Sequence, residues 1–119
     1  MPNDIIYSLG ALPNPPDARD FLLKNYLPVT VARPPEVILG MSPVDYQISL
    51  GACVAFGWDA MVEHFNNKEY NKILDLSEQD LYTESKKIDG YDGEGTYPRA
   101  AADVLVKRGV CEERFFPYE

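Results

Sequence analysis

The sequence is poor in the residues that bind transition metals: it has two cysteines, Cys53 and Cys111, and a single histidine, His64. It contains no Cys-x-x-Cys pair, whereas structural zinc sites are built mainly from Cys and His. We therefore predict no metal ligand and no cofactor. Two isolated cysteines also favour free thiols in a reducing compartment over a disulfide framework.

Basic residues are scarce as well. The chain has 11 Lys and Arg against 19 Asp and Glu, and its net charge is −8 at pH 7. Nucleic-acid binding needs a basic face for the phosphates, so we predict no nucleic-acid partner and no membrane partner. No apolar stretch approaches the ~20 residues of a spanning helix, and the first residues do not resemble a signal peptide. These absences favour a cytoplasmic protein or one within an assembly.

The remaining composition is that of one globular domain, with 119 residues of which 45% are hydrophobic. Eight of the ten prolines fall within residues 1–44. Proline fixes φ and removes a backbone donor, so residues 1–44 are predicted to form an extended leader strap. At most a short helix is expected there, around residues 17–26. Residues 45–119 are predicted to form a mostly helical lobe.

Three helices are predicted in this lobe. The first begins at about Gly51–Cys53 and ends near residues 66–68, because its apolar residues recur every three or four positions. The second follows Leu76, with Ser77 and Asp80 as a capping-box-like pair. Leu76 and Leu81 fit a hydrophobic staple at the start of the second helix, and the basic residues Lys86 and Lys87 are predicted to end it. The third helix is predicted to begin at Pro98 and to end before Gly109.

Cys53 lies on the first turn of the first predicted helix, and its residues alone leave two interpretations open. A helix N-terminus favours the thiolate, Gly51 and Ala52 leave room for a substrate backbone, and the Gln47 amide is a potential oxyanion donor. A cysteine after two small residues is also common as a filler of protein cores. The residues alone favour the buried filler.

The spacing resembles the active-site segment of papain-like cysteine peptidases, Gln-Gly-x-x-Gly-Ser-Cys-x-Ala-Phe. Here Gln47, Gly51, Cys53 and the pair Ala55–Phe56 match that pattern. Three further segments are similar to the family in the same order: "LSEQDLY", the stretch "DGEGTYPRAAADVLVKRGVCEERFFPY", and the leader "LPNPPDARDF". The leader resembles that of bacterial and phage members, and the matches together cover roughly residues 9–118.

The resemblance implies an α+β papain-like fold, of which this chain is the mostly helical N-terminal lobe with a long helix starting at the cysteine. It implies a cysteine endopeptidase that acts on peptide or protein substrates. Cys53 would attack the scissile carbonyl, and Gln47 with the Cys53 backbone N–H would hold the oxyanion. The implied substrate-binding positions are Gly51 beside the P1 residue, Gly95 and Thr96 along the substrate backbone, and Pro98 at the S2 pocket.

The chain also departs from the family pattern. Ile48 stands where a glycine usually follows the glutamine, and Ala52 replaces the serine before the cysteine. Leu50 occupies the place of a neighbouring cysteine, so one familiar disulfide is absent. Thr96 stands where the second glycine of a pair is expected, which predicts a tighter approach of substrate backbone.

A papain-like site also needs a His and an Asn, which lie roughly 130–150 residues beyond the cysteine in that family. Only 66 residues follow Cys53. His64 is eleven residues along the same predicted helix, about 16 Å away, and is not a substitute. We therefore expect a C-terminal lobe, absent from this chain, to supply both. The alternatives are an inactive single-lobe derivative that binds within an assembly, and a redox thiol protein.

The surface of the lobe separates the first two alternatives. A chain that normally packs against a second lobe exposes an apolar groove face when it stands alone, whereas a solitary lobe is expected to be polar there.

The acidic stretch "KIDGYDGEG" is predicted to be a solvated loop, because its spacing does not match a calcium-binding EF-hand loop. Packing roles are predicted for the aromatic residues Trp58, Phe115, Phe116 and Tyr118.

Overall fold

The computed structural model describes residues 9–27, 35–48 and 50–118. The described part is mostly helical, as the sequence predicts, and it contains no strand longer than an isolated bridge. Among the described residues, no helix combines the length and apolarity that crossing a bilayer requires. The three α-helices are α1 (Cys53–Tyr70), α2 (Glu78–Ile88) and α3 (Pro98–Lys107).

Helix α1 begins at Cys53, as predicted, and runs slightly beyond the predicted end. Its N-cap, Ala52, provides no side-chain hydrogen bond to the first turn. At the other end Asn71 adopts a left-handed conformation, with φ 51°, and its N–H donates to the Asn67 carbonyl. Asparagine tolerates this conformation better than most residues, which explains where the helix stops.

Helix α2 confirms half of the predicted capping box. The Ser77 hydroxyl accepts a hydrogen bond from the Asp80 N–H at 3.0 Å. The reciprocal bond is absent, because the Ser77 N–H donates to the Cys111 carbonyl and the Asp80 carboxylate pairs with Arg108 at 2.9 Å. A tertiary ion pair has thus replaced the local interaction that the spacing predicted.

The core lies where the three helices meet, and α2 and α3 share the largest interface. Leu81 of α2 is fully buried, and small alanines at the helix contacts let the backbones approach closely. Pro98 occupies the first turn of α3, as predicted. The buried cluster consists of Ala52, Val54, Ala55, Leu81, Tyr82, Ala101 and Val104.

The described part of the leader is extended and held against α3 and the start of α1. Its helical content is a single 3-10 turn at Leu23–Asn25, shorter than the helix allowed for by the sequence. Arg99, on the first turn of α3, anchors it by donating from its guanidinium to the Pro15 carbonyl at 2.7 Å and to the Asp20 carboxylate at 2.7 Å. These bonds hold the described part of the leader along the helical lobe.

The tail after α3 returns to the beginning of α2. An antiparallel bridge joins Leu76 to Glu112, flanked by hydrogen bonds from the Ser77 N–H to the Cys111 carbonyl and from the Glu113 N–H to the Asp75 carbonyl. The tail is short and extended, as predicted. It then forms a 3-10 turn over Glu113–Phe115 that turns two aromatic rings outward.

Candidate active site

Cys53 is a half-buried free thiol at the N-terminus of α1. The first N–H groups of a helix lack intrahelical acceptors and carry partial positive charge, and no side chain caps them here. The thiol borders two adjoining clefts. This position combines access to ligands with the unpaired N–H groups of a helix N-terminus.

Gln47 borders one of these clefts together with Cys53. Its side-chain amide donates to the Leu50 carbonyl at 2.7 Å. Ile48, next to Gln47, lies in a turn with φ 59°, and the Ala52 N–H donates to the Leu50 carbonyl at 2.8 Å. The structure therefore places Gln47 at the same cleft as the thiol, with one of the two N–H donors of its amide engaged by Leu50.

Tyr118 holds the turn that carries Gln47. Its hydroxyl donates to the Gln47 backbone carbonyl at 2.6 Å, and its ring packs edge-on against Phe56 with the centroids 5.0 Å apart. The sequence predicted only packing for this residue. A contact between positions 47 and 118 has no local signal, so sequence reasoning missed this positioning role.

Gly51 lies where two backbones cross. Its N–H donates to the Glu94 carboxylate at 2.8 Å. A Cβ added to Gly10 of the leader would lie 2.1 Å from the Gly51 carbonyl oxygen, and a Cβ on Gly51 would lie 3.3 Å from the Gly10 Cα. The leader thus passes directly over the position predicted to lie beside the P1 residue.

Gly95 and Thr96 bind an extended backbone, and in this structure that backbone is the leader. The Thr96 N–H donates to the Gly10 carbonyl at 2.9 Å, and the Leu12 N–H donates to the Thr96 carbonyl at 3.0 Å, forming a parallel bridge. Gly95 has φ 97°, and a Cβ there would lie 2.7 Å from the Gly10 oxygen. The two predicted substrate-binding positions are therefore occupied by the chain's own strap.

The second cleft at Cys53 is apolar and has a volume of about 390 Å³. Trp58 forms one wall, and its indole N–H donates to the Pro98 carbonyl at 3.0 Å. Trp58 was predicted to be a packing residue, but it also borders the cleft and fixes the predicted S2 residue. The lining residues are Ala11, Cys53, Val54, Gly57, Trp58, Met61 and Pro98.

Most residues of the acidic loop are exposed, as the sequence predicted, but a lysine of α2 also organises the loop. The Lys86 ammonium lies at its centre and donates to the carbonyls of Tyr91, Gly93 and Gly95, each at 2.8 Å, and to the Asp89 carboxylate at 2.9 Å. These bonds fold residues 89–95 into a compact turn that presents Gly95 and Thr96. The charge count of the loop gave no indication that a helix lysine organises it.

His64 does not belong to the cleft at Cys53. Its Nδ1 lies 2.6 Å from the Gly40 carbonyl, and its ring contacts Phe65. The side chain lines a neighbouring apolar groove of about 410 Å³ together with Leu39 and Met41. Since His64 is the only histidine of the sequence, this chain supplies no imidazole to the thiol.

The family model for papain family cysteine proteases matches residues 32–119. The chain belongs to that family. Caricain from Carica papaya is 34% identical over 79 residues, which are 66% of this chain and 22% of caricain. Falcipain-2b from Plasmodium falciparum (isolate 3D7) is 35% identical over 79 residues, 66% of this chain and 16% of the relative. The chain therefore spans roughly a fifth of the length of these papain-family relatives.

Solved structures show the same fold. Xylellain, a cysteine protease from Xylella fastidiosa, superposes with a TM-score of 0.68 at 27% identity, covering 98% of this chain and 46% of xylellain. Digestive procathepsin L 3 from Tenebrio molitor gives a TM-score of 0.58 at 28% identity, covering 66% of this chain and 26% of that one. These relatives come from plant, protozoan, insect and bacterial sources and do not single out bacterial or phage members.

Two of the predicted packing residues of this papain-family lobe are exposed. The Phe115 ring is 68% exposed and lies against Arg114, and Phe116 is 41% exposed. The prediction of a packing role was wrong for both residues. This segment is held to the start of α2 by its backbone, because the Phe116 carbonyl accepts a hydrogen bond from the Ser77 hydroxyl at 2.6 Å.

The two thiols differ in environment. Burial, followed by the nearby charge of Asp80, raises the pKa of the Cys111 thiol. Burial also acts to raise the pKa of Asp80, but hydrogen bonds from Arg108 and from the Cys111 N–H outweigh it and hold that pKa below its usual range. Cys111 is therefore a protonated structural thiol beside an ion pair, and no interaction with Cys53 links the two.

Several carboxylates are buried beneath α1. Burial, followed by the charge of Glu63, raises the pKa of Asp59 to about 8. Burial, together with a hydrogen bond shared with Asp45, raises the pKa of Glu78 to about 9. A raised pKa means that ionisation of the buried carboxyl lowers the stability of the folded state. The two raised values therefore indicate a cluster of acidic groups without a neighbouring positive charge.

Proposed function

We propose that this chain is the N-terminal lobe of a cysteine peptidase in which Cys53 is the nucleophile. The observation that carries the proposal is the position of Cys53: an accessible thiol at an uncapped helix N-terminus, beside Gln47 and next to a surface that already binds extended backbone. Membership of the papain family supports the same chemistry. The histidine and asparagine would come from a second lobe that this chain does not contain.

The proposed reaction is acyl transfer through a thioester. The Cys53 thiolate attacks the peptide carbonyl carbon, the C–S bond forms, and the oxyanion is held by the Cys53 N–H and the Gln47 amide. Collapse of the intermediate breaks the C–N bond, and the histidine of the second lobe gives its proton to the leaving amine. Water then hydrolyses the thioester and regenerates the thiol.

The leader indicates how a substrate would lie. Thr96 pairs through both its N–H and its carbonyl with the leader backbone, and such pairing recognises any extended peptide irrespective of side chains. The adjoining apolar cleft between Trp58 and Pro98 would then select one apolar side chain of the substrate. Because leader and substrate need the same hydrogen bonds, the leader must withdraw before a substrate binds.

The surface of α1 favours a two-lobe enzyme over a solitary binding lobe. Met61 is 47% exposed and Phe65 is 54% exposed, and they form an apolar groove with Leu39 and Met41. A soluble lobe without a partner is expected to be polar on such a face. The groove continues from the cleft at Cys53 through Gly57 and Met61, as a second lobe completing the site would require.

The test is hydrolysis of a fluorogenic peptide with an apolar residue at P2, using the product of the full reading frame. The Cys53→Ser variant is expected to lose at least 10³-fold in kcat/KM, because the thiolate is the nucleophile. Cys111→Ser is the matched control and is expected to retain activity within about twofold. Equal activity of the wild type and the Cys53→Ser variant would contradict the proposal.

A further inference from the structure

Four carboxylates converge where the segment before Gln47 meets α1 and the start of α2. They are Asp45, Glu63 of α1, and Asp75 and Glu78 at the start of α2, and one oxygen from each lies within 4.8 Å of the others. Glu63 and Glu78 are buried, whereas Asp45 and Asp75 are exposed. The cluster therefore has a closed inner side and an outer side that is open to solvent.

A fifth carboxylate behind the cluster, Asp59, has no hydrogen-bond partner among the described residues. Both oxygens of Asp59 are fully buried and accept no bond from the part of the chain that the structure describes. Asp59 precedes Glu63 by one helical turn, so the two side chains share a face of α1. The charges of Glu63 and Asp45 act on the Asp59 carboxyl, and that of Asp59 acts on Glu78, so Asp59 faces into the cluster.

Among the residues that the structure describes, no basic side chain forms an ion pair with these groups. The ion pairs formed within residues 9–27, 35–48 and 50–118 join other acids, such as Asp80 with Arg108 and Asp89 with Lys86, and none reaches the five carboxylates. Buried carboxylates are normally paired with a cation or coordinate a metal. An inward-facing group of acids without a counter-charge points to a cation as the missing partner.

The inner carboxylate is already oriented for such a role. Glu63 accepts the Leu76 N–H at 3.0 Å on one oxygen and the Ser42 hydroxyl on the other. Each carboxylate oxygen has a second lone pair, so these bonds fix the group without exhausting it. In metal sites the ligating carboxylates are typically oriented by hydrogen bonds from neighbouring protein groups, as Glu63 is here.

We propose that Asp45, Glu63, Asp75 and Glu78 bind one divalent cation of the size of Ca²⁺, with Asp59 supplying compensating charge on the buried side. Ca²⁺ takes six to eight oxygen ligands at 2.3–2.6 Å in flexible geometry, which suits a set of carboxylates from different elements. Mg²⁺ needs shorter distances and a regular octahedron and keeps much of its water. The all-oxygen set excludes the nitrogen and sulfur ligands that zinc prefers.

This inference replaces our sequence prediction of no metal ligand, which was based on cysteine and histidine alone. The carboxylates come from three separate stretches of the sequence, so no local spacing indicated the site. A cation there would tie Asp45, two residues before Gln47, to α1 and to the start of α2. The inference concerns the stability of this region and does not depend on the proposed peptidase activity.

The test is calorimetric titration of the full-length product with CaCl₂, after treatment with a chelator and its removal. We expect one Ca²⁺ per chain, at least tenfold weaker binding of Mg²⁺, and a rise in Tm with Ca²⁺. Asp45→Asn and Asp75→Asn change exposed ligands, so folding is expected to survive, and each is expected to weaken Ca²⁺ binding at least tenfold. Asp92→Asn, in the exposed loop outside the cluster, changes the net charge equally and is expected to bind as the wild type does.

Three results would overturn the proposal. One is the absence of a heat signal and of a Tm shift at millimolar CaCl₂. Another is equal weakening of binding by Asp92→Asn and Asp45→Asn, which would show a general charge effect. The third is binding that both Asp45→Asn and Asp75→Asn leave unchanged, which would place the ion elsewhere in the protein.

Discussion

At the scale of single residues, Ile48 is the most unfavourable position in the site. Its φ of 59° lies in the left-handed region, where a β-branched side chain crowds the backbone. The turn is nevertheless held on both sides, by the Tyr118 hydroxyl on the Gln47 carbonyl and by the Gln47 amide on Leu50. The strain is therefore stored in the turn that positions Gln47, the proposed oxyanion donor.

Ile48→Gly is expected to stabilise the protein by on the order of 0.5–1 kcal/mol. Glycine removes the left-handed strain, and the gain is reduced by its greater freedom in the unfolded chain. Urea unfolding measures the change. Ile73→Gly, at an exposed position outside the helices and without a positive φ, is the control and is expected to be neutral or slightly destabilising. A destabilised Ile48→Gly variant would show that the turn is not strained.

Asp59 predicts a pH dependence of stability. Its pKa is about 8 in the folded protein, above the ~3.9 of an unfolded aspartate, so the folded state binds more protons between these values. The free energy of unfolding is therefore expected to fall as pH rises from about 4 to about 8, and then to level off. This expectation applies with divalent cations removed by a chelator.

Asp59→Asn tests this pH dependence because it keeps the shape and cannot ionise. With chelator present, we expect the variant to exceed the wild type in stability at pH 8, by on the order of 3 kcal/mol, and to match it near pH 4. Asp92→Asn serves as the control for loss of one surface charge. An unchanged slope of stability against pH in Asp59→Asn would contradict the assignment.

At the scale of elements, local signals predicted much of the helical lobe. The start of α1 at Cys53, the Ser77 cap of α2 and Pro98 at the start of α3 all follow from residues within a few positions of each other. The leader's path was not predictable in this way. It is set by contacts such as Thr96 with Gly10 and Arg99 with Pro15, which join positions more than eighty residues apart.

Lys86 is expected to determine the stability of the loop that presents Gly95 and Thr96. Its ammonium bonds to three loop carbonyls and to Asp89. Lys86→Met removes this buried donor and leaves the acceptors unsatisfied, with an expected loss on the order of 2 kcal/mol. Hydrogen exchange is expected to become faster at the Tyr91, Gly95 and Thr96 amides.

Lys87→Met is the matched control for the loop. Lys87 is exposed and pairs only with Glu84, at 2.7 Å, so its replacement is expected to change stability by less than about 0.5 kcal/mol. Equal effects of the two substitutions would mean that Lys86 acts through general charge and not through the loop carbonyls.

The leader is expected to shield Cys53. Gly10→Val introduces a Cβ that would lie 2.1 Å from the Gly51 carbonyl oxygen, so the leader must move off the cleft. Alkylation of Cys53 by iodoacetamide is expected to become at least fivefold faster, as followed by mass spectrometry of the peptide that contains it. Gly40→Val, where a Cβ meets nothing within 4 Å, is the control. Equal rates in the two variants would show that the strap does not restrict access.

At the scale of the whole molecule, this papain-family chain contains the cysteine that we propose as the nucleophile, but no imidazole beside it. The only histidine bonds to Gly40 and lies outside the cleft, while the apolar groove along α1 remains exposed. Helix spacing predicted that His64 lies away from Cys53, whereas the exposed groove was left as the feature that separates a two-lobe enzyme from a solitary lobe. The resemblance did not predict the leader in the cleft or the carboxylate cluster, since both depend on contacts particular to this chain.

The most direct test of the central claim is to trap the thioester. The full-length product would be mixed with an activated ester of a blocked apolar amino acid, quenched in acid within milliseconds to seconds, digested and analysed by mass spectrometry. We predict an acyl adduct on the peptide containing Cys53 and none on the peptide containing Cys111. Turnover of the ester with an adduct on Cys111, or with no adduct on either peptide, would contradict the assignment of Cys53 as the nucleophile.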